Sequence, residues 1–137
     1  MRRLTSHDMA IQQEIGQLGE DIAVKYLKNK GYSIIERNYW KKWGEIDIVA
    51  EKACLIHFVE VKSVSYVTPN TGVTYETPAF DPQDHMNKEK MHRLNRVIET
   101  YLADKDMENE WQVDLMLVYL NKSTKTAKVN LIENITL

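Results

Sequence analysis

A chain of 137 residues with 43% hydrophobic content can bury a proper core, and no Pro/Gly/Ser-rich linker or internal repeat divides it, so residues 1–137 read as one domain. A formal net charge of −2 excludes a strongly basic nucleic-acid binder as a description of the whole molecule, though not a local basic patch, and the single Cys54 excludes an internal disulfide and a cysteine-based zinc site. Residues 1–13 lack the apolar core of a signal peptide and the longest apolar run, residues 115–120, is too short to span a bilayer, which predicts a cytoplasmic protein with no membrane partner.

Residues 11–30 predict an amphipathic helix, with Ile11, Ile15, Leu18 and Ile22 at helical spacing and Gly31 as its stop. Glu20 shares a face with Gly16, Ala23, Val24 and Leu27. A lone glutamate at a helix margin is ordinarily just solvated. Gly16 and Gly19 cost helix stability, however, and small residues let a helix approach another backbone closely, which would carry Glu20 to the sheet. Residues 32–39 predict the first strand. The following Trp40, Lys41, Lys42 and Trp43 either stack on bases while pairing with phosphates, or form a turn whose tryptophans cover the sheet edge.

Residues 44–62 read as two strands joined by a tight turn, and their Ile/Val-rich runs are those of buried central strands. Charges there are costly, yet Asp47 lies between Ile46 and Ile48, and Glu60 and Lys62 flank Val61. Side chains alternate along a strand, so Glu60 and Lys62 leave on one face, and Asp47 joins them if the hairpin register allows. A structural ion pair on a half-solvated edge is the plain alternative. Taking two charges out of water costs several kcal/mol per ion, so a divalent cation such as Mg²⁺, which takes oxygen ligands, is the competing account of an acid-acid-base cluster.

Residues 65–86 are polar, carry Pro69, Pro78 and Pro82, and predict a long loop leaving near Lys62. Residues 87–105 predict a second amphipathic helix burying Met91, Leu94, Val97, Ile98, Tyr101 and Leu102. Lys88, Lys90, Arg93 and Arg96 oppose the helix dipole at its start, so local stability does not explain them; a phosphate partner does, with solvated lysines as the default. Residues 111–120 predict a fourth strand, apolar but for Asp114, and residues 129–137 a closing edge strand after a polar loop at 121–128. Helix, three strands, helix and two strands make an α/β sandwich around a mixed sheet flanked by helices. His7, His57, His85 and His92 show no ligand spacing, and His57 falls on the strand face opposite Glu60.

Taken in order, residues 16–23 (Gly-Gln-Leu-Gly-Glu-Asp-Ile-Ala), 30–32 (Lys-Gly-Tyr), Arg37-Asn38, 44–50 (Gly-Glu-Ile-Asp-Ile-Val-Ala), 58–62 (Phe-Val-Glu-Val-Lys), Lys90 with Leu94, and 113–115 (Val-Asp-Leu) resemble the YraN-like proteins. These are small bacterial proteins placed in the PD-(D/E)XK nuclease superfamily, similar in core to archaeal Holliday junction resolvases. The resemblance implies a restriction-endonuclease-like αβββαβ core in which Asp47 and Glu60 hold Mg²⁺ or Mn²⁺. It implies Lys62 as the lysine of the Glu-X-Lys triplet, Glu20 as the first-helix acid that completes the site, and Lys90 as a phosphate contact. The chain departs from its relatives at Trp40 and at residues 63–65 (Ser-Val-Ser), where arginines are frequent, which weakens the expected grip on a phosphate backbone.

The activity so implied is metal-dependent hydrolysis of DNA phosphodiesters, with Glu20, Asp47, Glu60 and Lys62 at the reaction and Lys41, Lys42, Lys88, Lys90 and Arg93 on the DNA backbone. Similarity to junction resolvases adds a two-fold homodimer, since a symmetric junction presents two equivalent cuts. The rival from another class is a binding module that holds nucleic acid or a protein without cutting it.

Overall fold

The computed structural model describes residues 5–67 and 86–135. In chain order these form α1 (Ser6–Asn29), β1 (Ser33–Lys41), β2 (Gly44–Lys52), β3 (Leu55–Tyr66), α2 (Lys88–Asp104), β4 (Trp111–Asn121) and β5 (Thr126–Ile132). The strands make one five-stranded mixed sheet in the order β1-β2-β3-β4-β5, antiparallel except for the β3–β4 pair that α2 bridges. This is the expected α/β architecture, consistent with a restriction-endonuclease-like core. No helix among the described residues is long and apolar enough to cross a membrane.

Strand alternation divides the core between the two helices. On one face α1 buries Ala23, Val24 and Leu27 with Ile48, Ala50, Val59, Met116 and Val118. On the other, α2 buries Met91, Leu94, Val97, Ile98 and Tyr101 with Val49, Ile56, Phe58 and Val113. Each fully buried Ile, Val or Phe contributes roughly 1.5–3 kcal/mol, and β2 and β3 supply such residues to both faces, which anchors the hairpin between the two helices.

Four expectations need correction. Helix α1 begins at Ser6 rather than residue 11, because Thr5 and Asp8 form a capping box: the Thr5 hydroxyl accepts from the Asp8 amide at 3.0 Å and the Asp8 carboxylate accepts from the Thr5 amide at 3.1 Å. Its predicted apolar stripe is only partly buried, with Ile15 and Ile22 packed against the α1-side core. Leu18 is 51% exposed, and the face against the sheet is Gly19, Ala23, Val24 and Leu27, the side on which small residues permit close packing. Residues 65 and 66, assigned to the loop, belong to β3, where Ser65 and Tyr66 pair with Leu120 and Asn121; residues 68–85 lie outside the described residues. The closing strand does lie at the edge, but it starts at Thr126, because the Asn121 side chain accepts from the amides of Ser123 and Thr124 and closes the turn early.

Two glycines fix how closely the helices sit. A Cβ on Gly19 would fall 1.7 Å from the Ser63 hydroxyl oxygen, so α1 presses directly on β3. A Cβ on Gly44 would fall 2.6 Å from a Val97 methyl, so the β1–β2 turn presses on α2. Gly16 faces open space, so its expected role in helix approach is not met. Between these contacts the sheet opens. The β2–β3 ladder ends at Ile48 opposite Val59, while β2 stays on β1 as far as Lys41 opposite Gly44 and β3 stays on β4 as far as Tyr66 opposite Asn121.

Candidate active site

Asp47 sits where the strands part, and it does not arrive there by simple alternation. Arg37, paired with Ile48, reaches Glu20 on α1, whereas Tyr39, paired with Ile46, meets the Tyr101 ring of α2 edge-on at 4.9 Å. The intervening Asn38 takes a left-handed φ of 54°, and across from it β2 switches faces as well: Ile48 packs in the α1-side core and Ile46 in the α2-side core. Asp47, between them, extends toward β3, where its Oδ2 accepts the Val61 amide at 2.8 Å. The carboxylate thus serves the backbone donor that β2 no longer reaches.

Val61 is flanked by Glu60 and Lys62, whose side chains meet at 3.4 Å with 20% and 33% of their surface exposed. Asp47, Glu60 and Lys62 therefore do converge, through the opening in the sheet rather than on one face. They line a cavity of about 550 Å³ together with Glu45, Lys42, Lys90 and Arg93. Asp47 and Val61 also border an adjoining cavity of about 490 Å³ on the α1 side, and that cavity holds Glu20. Glu20 accepts from Arg37 Nε and Nη2, each at 3.3 Å, while the same Nη2 donates to Asp21 at 2.7 Å.

The acids in this opening act on one another. Burial pushes the Asp47 carboxyl up to about 8, Glu60, Glu45 and Glu20 add to the shift, and the Val61 amide opposes it. Glu45 is raised too, by burial first and then by Glu20 and Glu60. Four carboxylates thus act on one another, and Lys62 is engaged with Glu60. An all-oxygen donor set of neighbouring carboxylates suits a hard dication such as Mg²⁺ or Mn²⁺, so the residues fit the group that their pattern implies. The fit is looser at Glu20. Among the described residues the one trio with ligand atoms within 4.8 Å of one another is His57, Asp114 and Glu133, so Glu20, Asp47 and Glu60 do not close to that spacing.

The basic side divides similarly. Lys42, Lys90 and Arg93 stand in the acid-lined cavity, and the Asn87 cap holds the Lys90 amide at 2.9 Å. Lys41 pairs with Asp104 at 3.5 Å beside the Tyr39 ring and lies outside the cavity lining, as does the exposed Lys88. The tryptophans divide too. Trp43 packs on the α2-side core beneath Arg96, 5.1 Å from its ring centroid, and Trp40 is 65% exposed. Sequence reasoning left Glu45 without a role, although its position two residues before Asp47 on one strand was a usable signal. It also assigned no partner to Arg37, which only the folded register brings to Glu20.

The chain matches the Uncharacterised protein family UPF0102 over residues 19–118. It is 37% identical over 129 residues to a UPF0102 protein of Campylobacter lari, covering 93% of this chain and 99% of that one. It is 37% identical over 121 residues to one from Alkaliphilus metalliredigens (88% and 97% covered) and 34% identical over 121 residues to one from Helicobacter pylori (88% and 90% covered). The matched span contains Glu20, Lys42, Glu45, Asp47, Glu60, Lys62, Lys90 and Arg93, the charged residues that line the two adjoining cavities. On this evidence the chain belongs to the UPF0102 family, the YraN-like proteins that its motifs resemble.

Proposed function

We propose that the protein is a cytoplasmic, metal-dependent endonuclease of the PD-(D/E)XK superfamily that hydrolyses phosphodiester bonds in branched or single-stranded DNA. One observation carries this reading: the acids Asp47, Glu60 and Glu45 and the cations Lys62, Lys42, Lys90 and Arg93 line the same cavity. Acids alone would repel a phosphate. Cations alone would bind one without activating it.

Asp47 and Glu60 are the residues to hold Mg²⁺ or Mn²⁺, with Glu20 acting through water from its position beside Arg37. When bound, such an ion supplies Lewis-acid polarisation of the scissile phosphate and makes water a better nucleophile. Lys62 stands beside Glu60 and can stabilise the charge that develops on the phosphate oxygens. Lys42, Lys90 and Arg93 hold the flanking phosphates, so binding should weaken steeply with salt. A two-fold dimer would present two such clefts to a four-way junction.

The test is to incubate end-labelled single-stranded, duplex, forked and four-way DNA with the protein in Mn²⁺ or in EDTA, beside Glu60→Gln and Lys62→Ala. Cleavage that requires the metal and both side chains is expected, and the preferred DNA identifies the substrate class. A Glu60→Gln protein that cuts normally overturns the assignment. One observation favours the binding-module reading, namely that Glu20, Asp47 and Glu60 do not close into a compact trio. That reading predicts salt-sensitive DNA binding with no cleavage under any metal condition.

A further inference from the structure

On the α1 face of the sheet, opposite Glu60, lies a second polar cluster. Asp114 is wholly buried in β4 and His57 is 4% exposed in β3, with His57 Nδ1 and Asp114 Oδ2 2.7 Å apart. Glu133, just beyond β5, brings the third ligand atom, so that one imidazole nitrogen and two carboxylate oxygens lie within 4.8 Å of one another. The buried Asp114 carboxylate needs compensation, and a dication shared with the exposed Glu133 carboxylate would add to what the His57 ring gives it.

The surroundings hold these groups in place. Asp114 Oδ1 accepts from Gln112 Nε2 at 2.9 Å and from the Asn134 amide at 3.0 Å, which turns Oδ2 toward His57. The Ile135 amide donates to the Val113 carbonyl at 2.8 Å, so the backbone on the C-terminal side of Glu133 is fixed to β4. The Tyr32 ring meets His57 edge-on at 4.9 Å, and its hydroxyl lies 3.5 Å from Glu133 Oε1. Outer contacts that orient a carboxylate and an imidazole in this way are what ligating residues require.

We propose that His57, Asp114 and Glu133 form a binding site for a borderline first-row dication of the Zn²⁺ class, separate from the Asp47–Glu60 cleft. An imidazole nitrogen with two carboxylate oxygens favours Zn²⁺ or Co²⁺ over Mg²⁺, and three protein ligands leave a fourth position for water. The ion takes the place of the proton between His57 Nδ1 and Asp114 Oδ2, and the neutral ring then carries its proton on Nε2. Bond lengths of about 2.0–2.2 Å require that 2.7 Å gap to widen by a few tenths of an ångström, with exposed Glu133 closing in from solvent. The ion would clip the segment after β5 to β3 and β4.

The experiment uses the full chain carrying Asp47→Asn and Glu60→Gln, which disables the other acidic site. Zn²⁺ binding is followed by calorimetry, and Co²⁺ binding by its visible absorption. One ion per chain is expected. Adding Glu133→Gln, at an exposed residue, should weaken binding at least tenfold and change the Co²⁺ spectrum while the melting temperature of the metal-free chain stays within a few degrees. Gln112→Ala should weaken it roughly 10–100-fold through loss of carboxylate orientation. Zn²⁺ affinity unchanged by Glu133→Gln, or no Zn²⁺ binding to the parent, overturns the proposal. Neither result bears on DNA cleavage.

Discussion

The two halves of the β2–β3 pair have opposite characters. From Lys52–Leu55 to Ile48–Val59 the ladder is regular and dry, with Ile48, Val49, Ala50, Ile56 and Phe58 all at 0% exposure. Beyond Val59 the strands separate, and Asp47, Glu60 and Lys62 occupy the opening. The closed half shows what a hairpin gains by completing its hydrogen bonds. The open half shows what becomes possible when one amide, that of Val61, is served by a carboxylate instead.

The contrast is broken most severely in the closed half. Phe58→Ala removes a wholly buried ring that meets Tyr101 and Trp111 edge-on, and should cost about 3–5 kcal/mol in urea unfolding. Glu60→Gln, in the open half, should leave stability within about 1 kcal/mol while abolishing metal-dependent cleavage. Equal stability losses for the two variants would mean that the halves do not differ.

The pH response sharpens the same contrast. The Asp47 carboxyl is raised from 3.8 to about 8, so the folded chain keeps a proton that the unfolded chain has released. That contribution is fully present below the ordinary value and is lost as pH rises through about 8. The metal-free protein should therefore melt lower at pH 9 than at pH 6, and Asp47→Asn, whose amide oxygen can still accept from Val61, should flatten the decline. An equally steep decline in the variant would place the titrating group elsewhere.

Smaller effects probe the edges of each half. Gly19→Ala drives a methyl into Ser63 and should cost about 1–3 kcal/mol; Ser63→Gly should recover much of it in a double-mutant cycle. The closed half turns at Ala53 and Cys54, both with left-handed φ (52° and 66°). Placing Asn at residue 53 and Gly at residue 54 should add about 0.4–1 kcal/mol of stability, read as a rise in melting temperature without loss of cleavage.

Much of this was readable in the sequence wherever period and local chemistry decide the outcome. The hairpin, the second helix with its basic start, and the same-face placement of Glu60 and Lys62 follow from spacing. Asp47 could be included only conditionally, because its place depends on the break at Asn38, and a single left-handed asparagine leaves no periodic trace. His57 and Asp114 are 57 residues apart, so ligand spacing along the chain could not join them. On α1 the stripe of large residues overstates Leu18, whereas the small-residue face of Gly19, Ala23, Val24 and Leu27 that the spacing also marks is the one packed on the sheet.

For the proposed nuclease, the contact between Gly44 and Val97 has a consequence for accuracy of cutting. Gly44 begins the strand that carries Glu45 and Asp47, and Val97 lies one helical turn beyond Arg93 on the helix that carries Lys90. The space of one absent methyl group thus works as a gauge between the strand that bears Glu45 and Asp47 and the helix that bears Lys90 and Arg93. A side chain at residue 44 would lengthen that gauge, and in the proposed nuclease the cut position along the strand should become indistinct before activity is lost.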